Sequence, residues 1–208
     1  MVTYFGQNCE NGGAISTADV TEAAVVIDGT DYTVYTLSVT LTDAVQASGG
    51  NIYALSGTPA SQLTVPAAYH AAAADGGTNS GDVMTPYYCM PDGTVGPYPN
   101  SEHDSWLTIG VTDGTAGVLF NTYPFGDTLA ASASWTSDNT VLAYSTPDDG
   151  PGGAAAIVVG QITRLTSDPD ATVTMNLHGR VTVRTGSMDQ GVAVPDWVQP
   201  VSFSLLRP

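Results

Sequence analysis

Between Tyr35 and Thr42 the chain alternates without interruption. Tyr35, Leu37, Val39 and Leu41 are large and apolar, and Thr36, Ser38, Thr40 and Thr42 carry hydroxyls. Side chains repeat every 3.6 residues on a helix and every two on a strand, so only a strand gathers all four apolar residues on one face. Such a face must be covered by a second layer. The chain is thereby committed to a half-buried strand in a layered β structure.

Other stretches repeat the message. Val173, Met175 and Leu177 lie opposite Thr172, Thr174 and Asn176, and Val201, Phe203 and Leu205 share one face of a closing strand. Ala156–Thr163 is nearly continuous in apolar residues, as in a strand buried on both faces. Ala23–Asp28, Asn51–Ser56, Leu63–Val65, Gly117–Asn121 and Val181–Thr185 read as further short strands, and Trp135 with Thr140–Tyr144 as a hairpin. Turn signals punctuate them: Asp28-Gly29-Thr30-Asp31, Ser48-Gly49-Gly50, Asp113-Gly114-Thr115, the Pro/Gly-rich Ser145–Gly153 and Asp168-Pro169-Asp170. Many short strands at this spacing predict an all-β fold, an antiparallel, jelly-roll-like β-sandwich. At 208 residues the chain is long enough to bury its own core as a single domain. Residues 1–22, rich in Gly and Asn, are expected to form an N-terminal arm, with a short strand at Val2–Phe5, and residues 23–208 the sandwich. One helix is predicted, over residues 66–74, where Pro66 suits the first helical position and the alanines suit the interior.

Near the middle stands His103-Asp104-Ser105-Trp106-Leu107-Thr108-Ile109-Gly110-Val111. Trp106, Leu107 and Ile109 are expected in a core strand, introduced by the Asp-Ser turn signal. His103-Asp104-Ser105 has the side chains of a hydrolase triad, but triads are assembled from separate elements, and neighbours on a strand point to opposite faces. No nucleophile-elbow, dinucleotide or zinc-protease motif is present. His70 and His178 have no metal-ligand spacing to each other or to a cysteine. Asp148-Asp149, Asp168/Asp170 and Asp28/Asp31 could offer oxygen to calcium, but they match no calcium-loop pattern and read as turn residues. The expectation is a non-enzymatic protein without catalytic residues, metal or cofactor.

Charge narrows the partners. The basic residues are Arg164, Arg180, Arg184 and Arg207, with no lysine, and the acids number 20, giving a net charge of −16. Such a surface repels phosphate, so neither nucleic acid nor an anionic membrane is an expected partner, and it stays soluble in salt. Lysine chemistry is excluded outright. No apolar run is long enough to span a bilayer, so no membrane insertion is expected. No signal-peptide pattern is visible at Met1–Gly6, so the chain is expected either to act without Sec export or to have lost its leader. Cys9 and Cys89 could pair or remain thiols.

Two stretches are poor in acids and rich in large side chains. Pro86–Pro99, inside the long loop over residues 75–104, has one acid, Asp92, and contains Tyr87, Tyr88, Met90 and Tyr98; the C-terminal Trp197–Pro208 has no acid and contains Trp197, Leu205 and Leu206. Both are candidate interfaces, because like charges repel across any other symmetric contact.

Three blocks carry a resemblance. They are Tyr35-Thr36-Leu37-Ser38-Val39 with Gly50-Asn51-Ile52-Tyr53-Ala54; Asp104-Ser105-Trp106-Leu107-Thr108-Ile109-Gly110; and Val158-Val159-Gly160-Gln161-Ile162-Thr163 with Leu177-His178-Gly179-Arg180. Over residues 35–185 the chain resembles a group of β-rich surface proteins of marine microbes and their viruses. It departs from them at His178, where Gln is usual, and at Gly160, where a larger residue is usual. The resemblance implies a non-catalytic module on a virion or extracellular surface, partnered by other structural subunits in an oligomeric assembly. A secreted carbohydrate-binding or adhesin module is the alternative, with Trp106, Trp135 and the loop tyrosines as stacking platforms. Exposure of the tryptophans discriminates the two. A hydrolase would instead need a deep pocket with a perturbed carboxylate or histidine.

Overall fold

The alternating stretch lies in the middle of two stacked antiparallel sheets. The computed structural model describes residues 15–70, 103–112, 119–121, 134–139, 141–180 and 196–207. In chain order the elements are β1 (Ser16–Ile27), β2 (Thr30–Leu41), α1 (Asp43–Ala47), β3 (Asn51–Ser56), β4 (Leu63–Val65), β5 (Trp106–Leu107), β6 (Leu119–Asn121), β7 (Trp135–Ser137), β8 (Val141–Tyr144), β9 (Ile157–Leu165), β10 (Ala171–Arg180) and β11 (Asp196–Leu205). One sheet runs β1-β2-β9-β5. The other runs β6-β8-β3-β10-β4-β7, with β11 on the free side of β10. The fold is all-β, in a curled, sandwich-like arrangement.

The buried face of β2 is the one the alternation predicts: Tyr35, Leu37, Val39 and Leu41 are each at most 4 % exposed. They meet Val173, Met175 and Leu177 of β10 and Val201, Phe203 and Leu205 of β11 in one core. Burial of each such side chain contributes roughly 1.5–3 kcal/mol.

Several expectations need correction. Residues 16–22, expected in an N-terminal arm, form the first half of β1, paired from Ser16↔Leu41 to Ile27↔Thr30. Thr17, Asp19, Thr21 and Glu22, spread over both faces, hid that half from a search for apolar runs. The expected helix over residues 66–74 is absent where it can be seen: Pro66–His70 is not helical. Instead Tyr69 N–H donates to Thr163 O, Ser105 N–H donates to Tyr69 O, and Arg164 Nε donates to Ala67 O. Bonds to β9 override the helix propensity of alanine. Residues 71–74 lie outside the described residues.

The observed α-helix is α1, which follows Thr42. It closes with Gly49 at φ 72°, Gly49 N–H on Gln46 O and Gly50 N–H on Val45 O, a Schellman ending. The short run of helix formers before Ser48-Gly49-Gly50 carries this signal. Trp135 and Val141–Tyr144 do not make a hairpin either; β7 pairs with β4, and β8 pairs with β3 and β6.

Candidate functional site

The Asp104–Gly110 block is held against β9 by almost every polar group it has. Only Trp106–Leu107 is a strand, opposite Gln161 and Gly160. Thr108 and Gly110 then donate their N–H groups to Val159 O and Val158 O. Gly110 turns the chain at φ 73°, a backbone that favours glycine. Gly160 has a plain cause: a Cβ there would stand 2.8 Å from Leu107 Cδ2 and 3.0 Å from Trp106 O. A larger residue at this position does not fit unless β5 moves away.

Asp104 is 3 % exposed. Its Oδ1 lies 3.0 Å from His70 Nδ1 and accepts the Ser105 N–H at 2.9 Å. Its carbonyl accepts Gln161 Nε2 at 2.8 Å. Ser105, 1 % exposed, accepts the Thr163 N–H on Oγ at 3.0 Å. The residues that resemble a triad in composition are thus joined differently in space. His70, from a distant segment, reaches Asp104. Ser105 Oγ is sealed in the core, where it completes the β9 backbone. A hydrolytic nucleophile must be reached by substrate and by its base; Ser105 is buried beneath the sheet it braces.

Trp106, Leu107 and Ile109 are 5 %, 0 % and 0 % exposed, as a core segment requires. Tyr144 OH donates to Ile109 O at 2.8 Å. Burial raises the Tyr144 phenol above its usual range, and Asp149 adds to the shift.

The candidate interfaces divide. Trp197 and Leu205 are fully buried, which corrects their reading as contact residues. Their spacing on β11 puts them, with Val201 and Phe203, on the inward face. Leu206 is 59 % exposed. Its carbonyl accepts Tyr35 OH at 2.8 Å, which anchors the chain end while its side chain stays outside. Burial raises the Tyr35 phenol too; the Thr33 hydrogen bond opposes this, and Glu22 reinforces it. Beside this end lies an open groove of about 420 Å³ lined by Thr30, Asp31, Leu165, Thr166, Ser167 and Arg207. Tyr87, Tyr88, Met90 and Tyr98 lie outside the described residues, as do Cys9 and Cys89.

Three of the aspartates considered for calcium engage arginines. Asp148 pairs with Arg180, Asp168 lies 3.6 Å from Arg164, and Asp170 Oδ1 accepts the Arg207 N–H at 2.8 Å. Asp28 sits in the β1–β2 turn at φ 49°. No cluster of three or more His, Cys, Asp or Glu residues suited to a metal occurs among the described residues.

Two polar features had no local signal in the sequence. Asn51, fully buried, donates through Nδ2 to Pro147 O at 2.7 Å and accepts the Arg180 N–H on Oδ1 at 3.2 Å. It thereby ties the 3-10 turn Pro147–Asp149 to β3 and β10. Gln199 accepts the Ile15 and Ser16 N–H groups on Oε1 and donates to Ser16 O. Both join segments about a hundred or more residues apart, which no spacing rule can reveal. Compared with family models, curated proteins and solved structures, the chain has no match in any of the three.

Proposed function

We propose that this chain is a non-enzymatic structural subunit of a surface assembly, of the capsid, decoration or fibre type, on a virion or an extracellular surface of marine origin. The observation that carries this reading is the burial of its tryptophans. Trp106, Trp135 and Trp197 are 5 %, 9 % and 0 % exposed. Aromatic platforms for sugars need an exposed ring face, and these rings fill the core instead. The resemblance of the Asp104–Gly110 block to marine surface proteins supplies the setting. The acidic surface supports protein partners over nucleic acid. The exposed Leu206, beside a groove with one acid, Asp31, and one cation, Arg207, is the best described patch for a neighbouring subunit.

An antibody to the chain, applied to purified particles and to the soluble fraction of its source, tests the location. The reading expects the protein in particles, and expects Leu206→Asp to reduce incorporation while leaving stability within about 0.5 kcal/mol, as for other surface changes. Soluble protein that binds polysaccharide on a glycan array would support the carbohydrate-binding alternative.

A further inference from the structure

We infer that β1 is an open docking edge that pairs, antiparallel, with β1 of a second copy of this chain. The hairpin fixes which backbone groups are available. Asp28 and Gly29, both at positive φ (49° and 78°), form a two-residue turn closed by Ile27↔Thr30. The closing pair of such a turn is hydrogen-bonded, and bonding alternates along an antiparallel pair. Odd-numbered residues of β1 therefore bond to β2, and Ala18, Val20, Glu22, Ala24 and Val26 turn their N–H and C=O groups outward. Ser16 proves the parity: its N–H and C=O both reach out to the Gln199 carboxamide, which acts as a short substitute strand. Among the described residues β1 is the last strand of its sheet beyond Ser16, and no hydrogen bond from them reaches those five outward positions.

The other edge on this side of the sandwich is blunted. β11 carries Pro200, opposite Asn176 of β10, so its outer side lacks an N–H there. β1 has no proline, bulge or lysine to protect it as an edge; its charged side chains are Asp19 and Glu22. Val26 on it is 66 % exposed.

A second copy matches this edge in hydrogen bonding, and one register keeps the acids of the two strands from facing each other directly. A two-fold axis at Ala23 sets Val20 opposite Val26, Thr21 opposite Val25, Glu22 opposite Ala24 and Asp19 opposite Ile27 of the second copy. No acid faces an acid directly, the small Ala23 pair occupies the close-approach centre, and the outward groups form about eight hydrogen bonds. An axis at Asp19 or at Glu22 would set like carboxylates face to face, which disfavours those registers. The Ala23 register leaves the two Glu22 carboxylates diagonal to one another. Pairing therefore strengthens as salt screens them.

This inference rests on the reading of the chain as an assembly subunit and names one of its contacts. Sedimentation equilibrium of the full chain, at low and high salt, tests it. The wild type is expected to dimerise, more tightly at high salt. Ala24→Pro removes an outward N–H and no bond to β2; it should weaken the dimer by about tenfold or more. Glu22→Gln, which removes the diagonal repulsion, should tighten it several-fold, an effect misfolding cannot mimic. A wild type that stays monomeric at every salt overturns the β1 contact, whereas the assembly reading falls if the antibody finds the protein absent from particles. A dimer indifferent to both substitutions, or one lost only on removing residues 1–14, overturns the β1 contact alone.

Discussion

The indole of Trp197 occupies the space where Gly179 lacks a side chain. A Cβ at Gly179 would overlap both the Trp197 ring and the Asn51 carbonyl. The two residues face each other across β10 and β11, and the register between β10 and β3 slips between His178 and Gly179. This slip and the missing Cβ together let the largest side chain of the core lie flat against β10.

Gly179→Ala should therefore be costly although alanine is small. The obstruction includes backbone, which cannot rotate away, so a loss of about 1–3 kcal/mol or more is expected from overpacking. Urea unfolding measures it. Adding Trp197→Phe should recover part of the loss, so the double substitution should be less than additive.

Trp106→Ala should destabilise by about 3–5 kcal/mol, from lost burial plus a cavity. A loss under about 1 kcal/mol, accompanied by weakened binding to a partner or glycan, would place Trp106 in a binding role.

Gly49→Ala isolates a backbone effect. A Cβ there meets nothing within 4 Å, but the residue sits at φ 72°. The expected cost is about 1–2 kcal/mol, from left-handed strain alone. A neutral outcome in thermal and urea unfolding would mean that α1 does not end in the Schellman turn.

Alkaline pH should unfold the chain through Tyr35 and Tyr144. Burial raises both phenols, so the folded chain holds these protons more tightly than the unfolded one. Their stabilisation is fully present below the unfolded tyrosine value, about 10, and falls as pH rises through the folded value. Urea midpoints should decline above about pH 10, and less steeply in Tyr35→Phe or Tyr144→Phe. A decline of equal slope in both variants would assign the alkaline loss to other groups.

Replacing Arg164 should free the Ala67–Tyr69 segment from β9. Arg164 is 7 % exposed and donates to Ala67 O and Pro169 O at 3.1 and 2.9 Å. Hydrogen bonds to a charged group contribute about 1.5–3 kcal/mol each, so Arg164→Ala should lower stability by several kcal/mol and expose residues 66–70 to limited proteolysis. Unchanged cleavage there would show that the Tyr69–Thr163 bond holds the segment alone.

Period-two patterning by itself determined the β class and the inward faces of β2, β10 and β11, because face alternation is a local property of extended backbone; turn signals beside short β-prone runs placed β3 and β4. Side-chain size after the Asp-Ser turn signal marked Trp106, Leu107 and Ile109 as core, since such residues have few other places to go. Tertiary structure alone decided that Pro66–His70 lies along β9 and that His70, from a distant segment, meets Asp104. Each of these depends on hydrogen bonds or packing between segments distant in sequence. Local propensity amounts to under about 1 kcal/mol per residue, and a few buried hydrogen bonds or a filled core position outweigh it.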